Sequence, residues 1–341
     1  MQDPQPAGDS YRSSMGLRRR QMLLAAALGC VAGRARGAVP NGATLLIAGP
    51  QDGATAAWAD VLVPALMKSL PAGFALAREN VGAADGVTGA NQFQARTPLD
   101  GGTVLLLPGR AALAWLIGDP RAQFDAAQWV TALAGTTPAV IASRLPLEQI
   151  VSGGAVRVAG APDGPTLAAL LTLDLMGAIP QPVPVVGPDY AGVDAVLLSG
   201  RAMSAQVASA ARFGFRPVLR LGGVGATSGA ARLPEAVDRI KIGASPGLIV
   251  AWRAVIAATR LDTALVLAPL TPASMVAIWR RAGVQAAENP GVQAAAARFG
   301  VRPETEADAV ASTAPIAVDA SAMLDLRAWL LQRFGWRPRS S

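Results

Sequence analysis

Residues 45–107 read LLIAGPQDGATAAWADVLVPALMKSLPAGFALARENVGAADGVTGANQFQARTPLDGGTVLLL. A short apolar run, Ala43–Ala48, meets a Gly/Pro/Asp turn and enters a segment with apolar residues at helical spacing. Trp58, Leu62, Leu66 and Leu70 stand four apart, flanked by Val61 and Ala65. A second strand is expected at Phe74–Arg78, then a Gly-rich loop, a short helix, an Asp-Gly turn and a third strand at Thr103–Leu107. Together they form a βαβαβ unit, a scaffold that opens a ligand crevice at its strand ends. The fold class is α/β.

The chain has 341 residues, enough for two domains, and 52% apolar content, enough for a sizeable core. Its formal charge of +7 suggests a nucleic-acid partner until the charges are located. Residues 1–37 hold six Arg and two Asp, and the tail adds Arg333, Arg337 and Arg339. The body between is electrically balanced, with no basic stripe to neutralise phosphates, so no nucleic-acid partner is expected.

The N-terminal charge belongs to a leader. Arg18-Arg19-Arg20 precede an apolar run, Met22–Val31, and small residues Ala35-Arg36-Gly37 precede Ala38. A positive region, a short apolar core and a small-residue exit make a signal peptide over residues 1–37. The apolar core is too short to span a bilayer, which takes about 20 residues. Arg19-Arg20-Gln21-Met22-Leu23-Leu24 is similar to a twin-arginine signal, and Met15 is an alternative start. Cys30, the only cysteine, is read as a small residue of this apolar core rather than a lipid anchor. The mature body then has no disulfide, thiol nucleophile or cysteine metal site. The apolar stretch Leu248–Leu270 is interrupted by Arg253, Arg260 and Asp262 and is expected to be a buried helix followed by a strand.

The sequence contains no histidine. Ser-His-Asp triads, imidazole bases and most zinc sites are thereby absent. Neither a nucleophile-elbow serine motif nor a phosphate-loop lysine motif occurs, and Gly222–Gly229 lacks the spacing of a dinucleotide loop. No cofactor and no metal are expected.

Within residues 77–107, ARENVGAADGVTGA followed by PLDGGTVLLL resembles the substrate-binding proteins of tripartite tricarboxylate transporters, the Bug or TctC-like family. Glu79-Asn80, Gly82-Ala83, Gly86 and Gly89-Ala90 match its first motif; Asp100, Gly101, Thr103 and Leu105 match its second. Weaker likeness runs through Val185, Gly192, Ala195, Leu198 and Gly200, then Ala268-Pro269-Leu270-Thr271-Pro272 and Asn289-Pro290-Gly291-Val292. The last two pieces frame an expected helix, Ala273–Arg281, and a further helix ending at Gly300. The resemblance implies a two-domain periplasmic-binding-protein fold of the type II-like, Venus-flytrap kind. It places domain 1 at residues 38–142 and 263–341 and domain 2 at 143–262.

In such a protein, loops entering helix N-termini offer unpaired N–H groups to a carboxylate. The implied ligand-binding residues are Pro50, Gln51, Asp52, Gly53 and Thr55 in the first loop; Pro108, Gly109 and Arg110 after the third strand; and Asp163, Gly164, Thr166 and Tyr190 in the second domain. The first loop departs from the family pattern. Ala56 and Asp60 stand where an Asp and an Arg are usual, and Asp52 either caps the Trp58 helix or faces the cleft. Arg110 follows a strand end and suits bidentate carboxylate binding, or is a solvated surface residue. Asp163 is expected to cap a helix at Leu167–Met176, and Tyr190 is either a ligand contact or a rim packing residue. The implied function is periplasmic capture of a small organic acid or related polar metabolite, by a monomer without catalysis, for delivery to a membrane permease. A ligand-sensing flytrap receptor and a secreted hydrolase using carboxylates are the alternatives.

Overall fold

The computed structural model describes residues 41–185, 190–222, 233–241 and 243–337. The leader with Cys30, residues 223–229 of the Gly222–Gly229 segment and the last four residues of the tail lie outside them.

The opening stretch builds β1 (Gly42–Ala48), β2 (Ala75–Val81) and β3 (Thr103–Leu107), with helices Ala54–Ser69 and Val87–Arg96 between them. β1 pairs parallel with both β2 and β3. It is covered on both faces, which is why its sequence is a continuous apolar run rather than an alternation. Leu45 and Ile47 share one core with Trp58, Leu62, Leu66 and Trp279; Leu46 and Ala48 share another with Phe93, Leu107 and Leu116. β2 runs three residues past its expected end at Arg78. As the sheet's edge it is largely exposed, so Arg78-Glu79-Asn80 can be strand without being apolar.

The first sheet has the order β11-β4-β10-β3-β1-β2, adding β4 (Val130–Thr136), β10 (Leu261–Leu267) and β11 (Arg302–Thr305). β10 lies antiparallel between β3 and β4. The second sheet has the order β7-β6-β8-β5-β9, from β5 (Ala139–Ser143), β6 (Ala155–Ala159), β7 (Ile179–Val183), β8 (Ala195–Ser199) and β9 (Arg216–Arg220). The apolar segment Trp129–Ser143 thus gives two strands, one in each sheet. The chain passes to the second sheet at Thr137-Pro138 and returns into β10 through helix Pro246–Arg260. The two crossings are clasped. The Thr137 backbone N–H and Oγ1 both donate to the Arg260 carbonyl, at 2.8 and 3.2 Å, and Leu221 N–H donates to the Ala139 carbonyl at 2.9 Å.

Helix Pro246–Arg260 and β10 are the buried helix and strand expected from Leu248–Leu270. Ser245 caps the helix by accepting from Leu248 N–H, and Pro246 occupies its first turn. It packs against helix Gly109–Ile117 under the first sheet and helix Leu167–Leu175 of the second. Trp252 Nε1 donates to Thr172 Oγ1 at 2.9 Å, and one apolar core runs continuously from β1 to Leu175 through this helix.

Three local expectations are corrected. Helix Ala273–Arg281 continues to Glu288, because Gly283 lets it lie close over the Ala132 carbonyl of β4. The Leu167 helix is not capped by Asp163. Its N-cap is Thr166, and a preceding turn lets Leu167 and Ala168 N–H bond the carbonyls of Gly164 and Pro165. Nor does Asp52 cap the Trp58 helix: the N-cap is Gly53, and no side chain bonds there. Among the described residues, no single helix is long and apolar enough to cross a membrane.

Candidate functional site

Where the two sheets face each other, a cleft of about 370 Å³ opens at the carboxyl ends of parallel strands. The turn after β1 contributes Pro50, Gly53, Ala54 and Thr55, and the turn after β3 contributes Pro108, Gly109 and Arg110. The second sheet answers with Pro165 beyond β6 and with Ser199, Gly200 and Arg201 at the end of β8. The floor is the crossing itself: Thr137, Ala258, Thr259, Leu261 and Asp262.

Two helices start in this cleft without a side-chain cap. Ala54–Ser69 follows Gly53 and Gly109–Ile117 follows Pro108. Gly53 N–H is spent on the Pro50 carbonyl, and the first helical bond at this end runs from Ala57 N–H to the Gly53 carbonyl. The N–H groups between them are the unsatisfied donors of a helix start, carrying its partial positive charge. Gly109 must be glycine for a separate reason. A Cβ there would run into the carbonyl oxygens of Ala258 and Leu261, so only a bare backbone lets this helix start meet the floor.

The side chains add unspent polar groups. Thr55 is buried at 6% exposure, and its hydroxyl bonds nothing among the described residues. Thr259 Oγ1 is also buried and unpartnered. Arg110 is exposed at the mouth and has no ion-pair partner among the described residues. Arg201 differs: its Nε and Nη2 donate to Asp262 Oδ1 and Oδ2, both at 2.8 Å. Beside the floor, burial pulls the Arg260 guanidinium below its ordinary pKa.

Six of the residues expected to bind ligand therefore meet in one cleft: Pro50, Gly53, Thr55, Pro108, Gly109 and Arg110. Gln51 and Asp52 are exposed on the outer side of the first turn and do not line it. Asp163 is exposed and lines a separate recess of about 680 Å³ with Asp119, Arg121 and Trp336. Gly164 lines neither. Thr166 Oγ1 donates to the Ala159 carbonyl at 3.1 Å, which fixes the turn after β6. Tyr190 packs edge-on against Phe213 and Phe215, at 5.2 and 5.4 Å between ring centres, in the small core of the second sheet. Sequence reading missed Ser199, Arg201, Thr259 and Asp262. Arg201 directly follows Gly200 of the weaker motif, which was the available signal. Asp262 was noted only as a charge that argued against a membrane span.

A second hollow, of about 240 Å³, lies between β10 and helix Glu306–Thr313. Its lining is mostly apolar, with Arg280 the one charged residue among the described lining residues.

No protein-family model matches the sequence, and no curated protein matches it. Solved structures do match. A TctC solute-binding protein from Polaromonas, solved without ligand, superposes with a TM-score of 0.64 at 18% identity, covering 85% of this chain and 98% of that one. The periplasmic binding protein BugD superposes with a TM-score of 0.50 at 15% identity, covering 86% and 97%. The chain has the α/β periplasmic-binding-protein fold, and these similar structures are binding proteins rather than enzymes.

Proposed function

We propose that this chain, built on the periplasmic-binding-protein fold, is an exported solute-binding protein of the tripartite tricarboxylate transporter type. It captures a small organic acid or related polar metabolite, without catalysis, and delivers it to a membrane permease. The observation that carries this reading is the pair of uncapped helix starts in one cleft, beside the unpaired Arg110. Fixed N–H donors at a helix start stabilise an anion without further machinery. The cleft volume suits a metabolite of a few carbons, and its opening at strand ends is where such folds bind ligands.

The residues proposed to touch ligand are Pro50, Gly53, Thr55, Pro108, Gly109 and Arg110, with Thr259 and Ser199 completing the polar lining. The leader, residues 1–37, directs export to the periplasm. Residues 38–142 with 263–341 form one lobe and 143–262 the other, closing over the ligand as a monomer.

Thermal-shift titration of the mature chain against organic acids, amino acids and neutral analogues tests the reading. A ligand at 100 times its dissociation constant stabilises by about 2.7 kcal/mol. Arg110→Gln should weaken an acid ligand about tenfold or more, as expected for a lost charge-assisted contact. No shift with any compound, together with hydrolytic turnover of an ester or glycoside panel, would sink the binding-protein reading.

A further inference from the structure

We infer that Arg201 and Asp262 set the charge class of the ligand, so that the cleft takes acids with a single carboxylate and rejects di- and tricarboxylates. The inference rests on the acid-binding reading above and narrows it.

Among the described residues, three charged ones line the cleft: Arg110, Arg201 and Asp262. The ion pair takes Arg201 out of play. Its Nε and Nη2 each meet one oxygen of Asp262, and the two side chains are only 18% and 9% exposed. The pair neutralises the charge that would otherwise attract a ligand carboxylate and fixes the guanidinium side-on to Asp262. Arg201 is also held from behind. Its guanidinium lies over the Phe299 ring at 4.7 Å, and the next residue, Ala202, donates its N–H to the Phe299 carbonyl at 3.2 Å. Pulling Arg201 toward a ligand would leave the Asp262 carboxylate buried and unpaired, a costly outcome.

Among the described residues what remains is one cation without an ion-pair partner, Arg110, near two helix starts, and neutral hydroxyls deeper in, Thr55 and Thr259. One carboxylate is matched. A second carboxylate reaching the floor would face Asp262, with no unpaired cation among the described lining residues to receive it. A hydroxyl, carbonyl or amide group in that position is matched instead by the hydroxyls. The ligand class is a short monocarboxylic acid with a neutral polar group.

The test uses acid pairs differing by one carboxylate: 4-hydroxybutyrate against succinate, 2-hydroxybutyrate against malate, with citrate as the triply charged extreme. Calorimetric titration of the wild-type chain should show at least tenfold tighter binding of each monoacid than of its diacid partner. Asp262→Asn keeps the shape and frees Arg201, and should raise diacid affinity at least tenfold. In the double variant, Arg201→Gln with Asp262→Asn, that gain should vanish while monoacid binding persists. Circular dichroism confirms that each variant is folded, and the wild-type comparison decides the matter if a variant is not. Wild-type diacid binding equal to or tighter than monoacid binding, or a folded Asp262→Asn chain with unchanged preference, overturns this inference and leaves the acid-binding reading intact. Binding of neutral compounds alone overturns both.

Discussion

At Gly109 the cleft leaves no room for a side chain, so this residue couples the ligand site to the chain crossing. Gly109→Ala should force the helix start away from the Ala258 and Leu261 carbonyls and cost about 1–3 kcal/mol. Urea denaturation measures that loss, and ligand affinity should fall with it. Asp52→Ala should do neither. Asp52 is exposed and caps nothing, so its removal should change stability by less than about 0.5 kcal/mol in the same assay. Trp279 is the opposite case: fully buried, with Nε1 donating to the Gly101 carbonyl at 3.2 Å. Trp279→Ala should cost about 3–5 kcal/mol. The sequence made the motif glycines legible because backbone need is local. Gly86, for example, starts helix Val87–Arg96 in the left-handed region, at φ 78°. It could not reveal Arg201 with Asp262, which are 61 positions apart and meet only when the second sheet folds over the first.

Elements with one clear burial pattern were the easiest to read. β3 was expected at Thr103–Leu107 and is found there, because its apolar run is bounded by Asp-Gly and Pro. β2 was cut short because an edge strand carries no such pattern. The caps failed at Asp52 and Asp163 because a short turn can place a glycine or threonine at the helix start in place of the acid upstream. At Asp319 the acid does cap, accepting from Ala322 N–H at 2.8 Å at the head of helix Ala320–Phe334. Asp319→Ala should cost about 1 kcal/mol in chemical denaturation.

Acid sensitivity also belongs at this scale. Asp194, in the loop before β8, accepts from the backbone and the guanidinium of Arg157 on β6, and the Arg157 side-chain bond holds its pKa below the usual carboxylate value. A depressed carboxylate stabilises fully above its unfolded pKa, near 3.8, and that stability is lost as pH falls through the lower folded value. Denaturation midpoints followed from pH 6 to pH 2.5 should therefore drop in acid, and less steeply in Asp194→Asn.

Across the whole molecule, the core that passes from β1 through helix Pro246–Arg260 to Leu175 ties the two sheets together. Calorimetric unfolding of residues 38–341 should give one transition rather than two separate ones, with equal calorimetric and van't Hoff enthalpies. The opening βαβαβ unit announced the architecture of the first sheet. The second sheet was less legible, since its strands are short and the family likeness is weaker there, fading before β9.

The floor of the cleft is also the crossing between the lobes. Thr137 and Leu261 line the cleft, and Thr137 holds the Arg260 carbonyl that joins the two crossings. Under the proposed binding role, selection therefore cannot tune affinity and release separately. A substitution that reshapes the floor for a new solute also alters how readily the two halves part. Divergence toward new ligands should accumulate first in the walls, at positions such as Arg110 and Ser199, where a change alters the bound chemistry and leaves the pivot untouched.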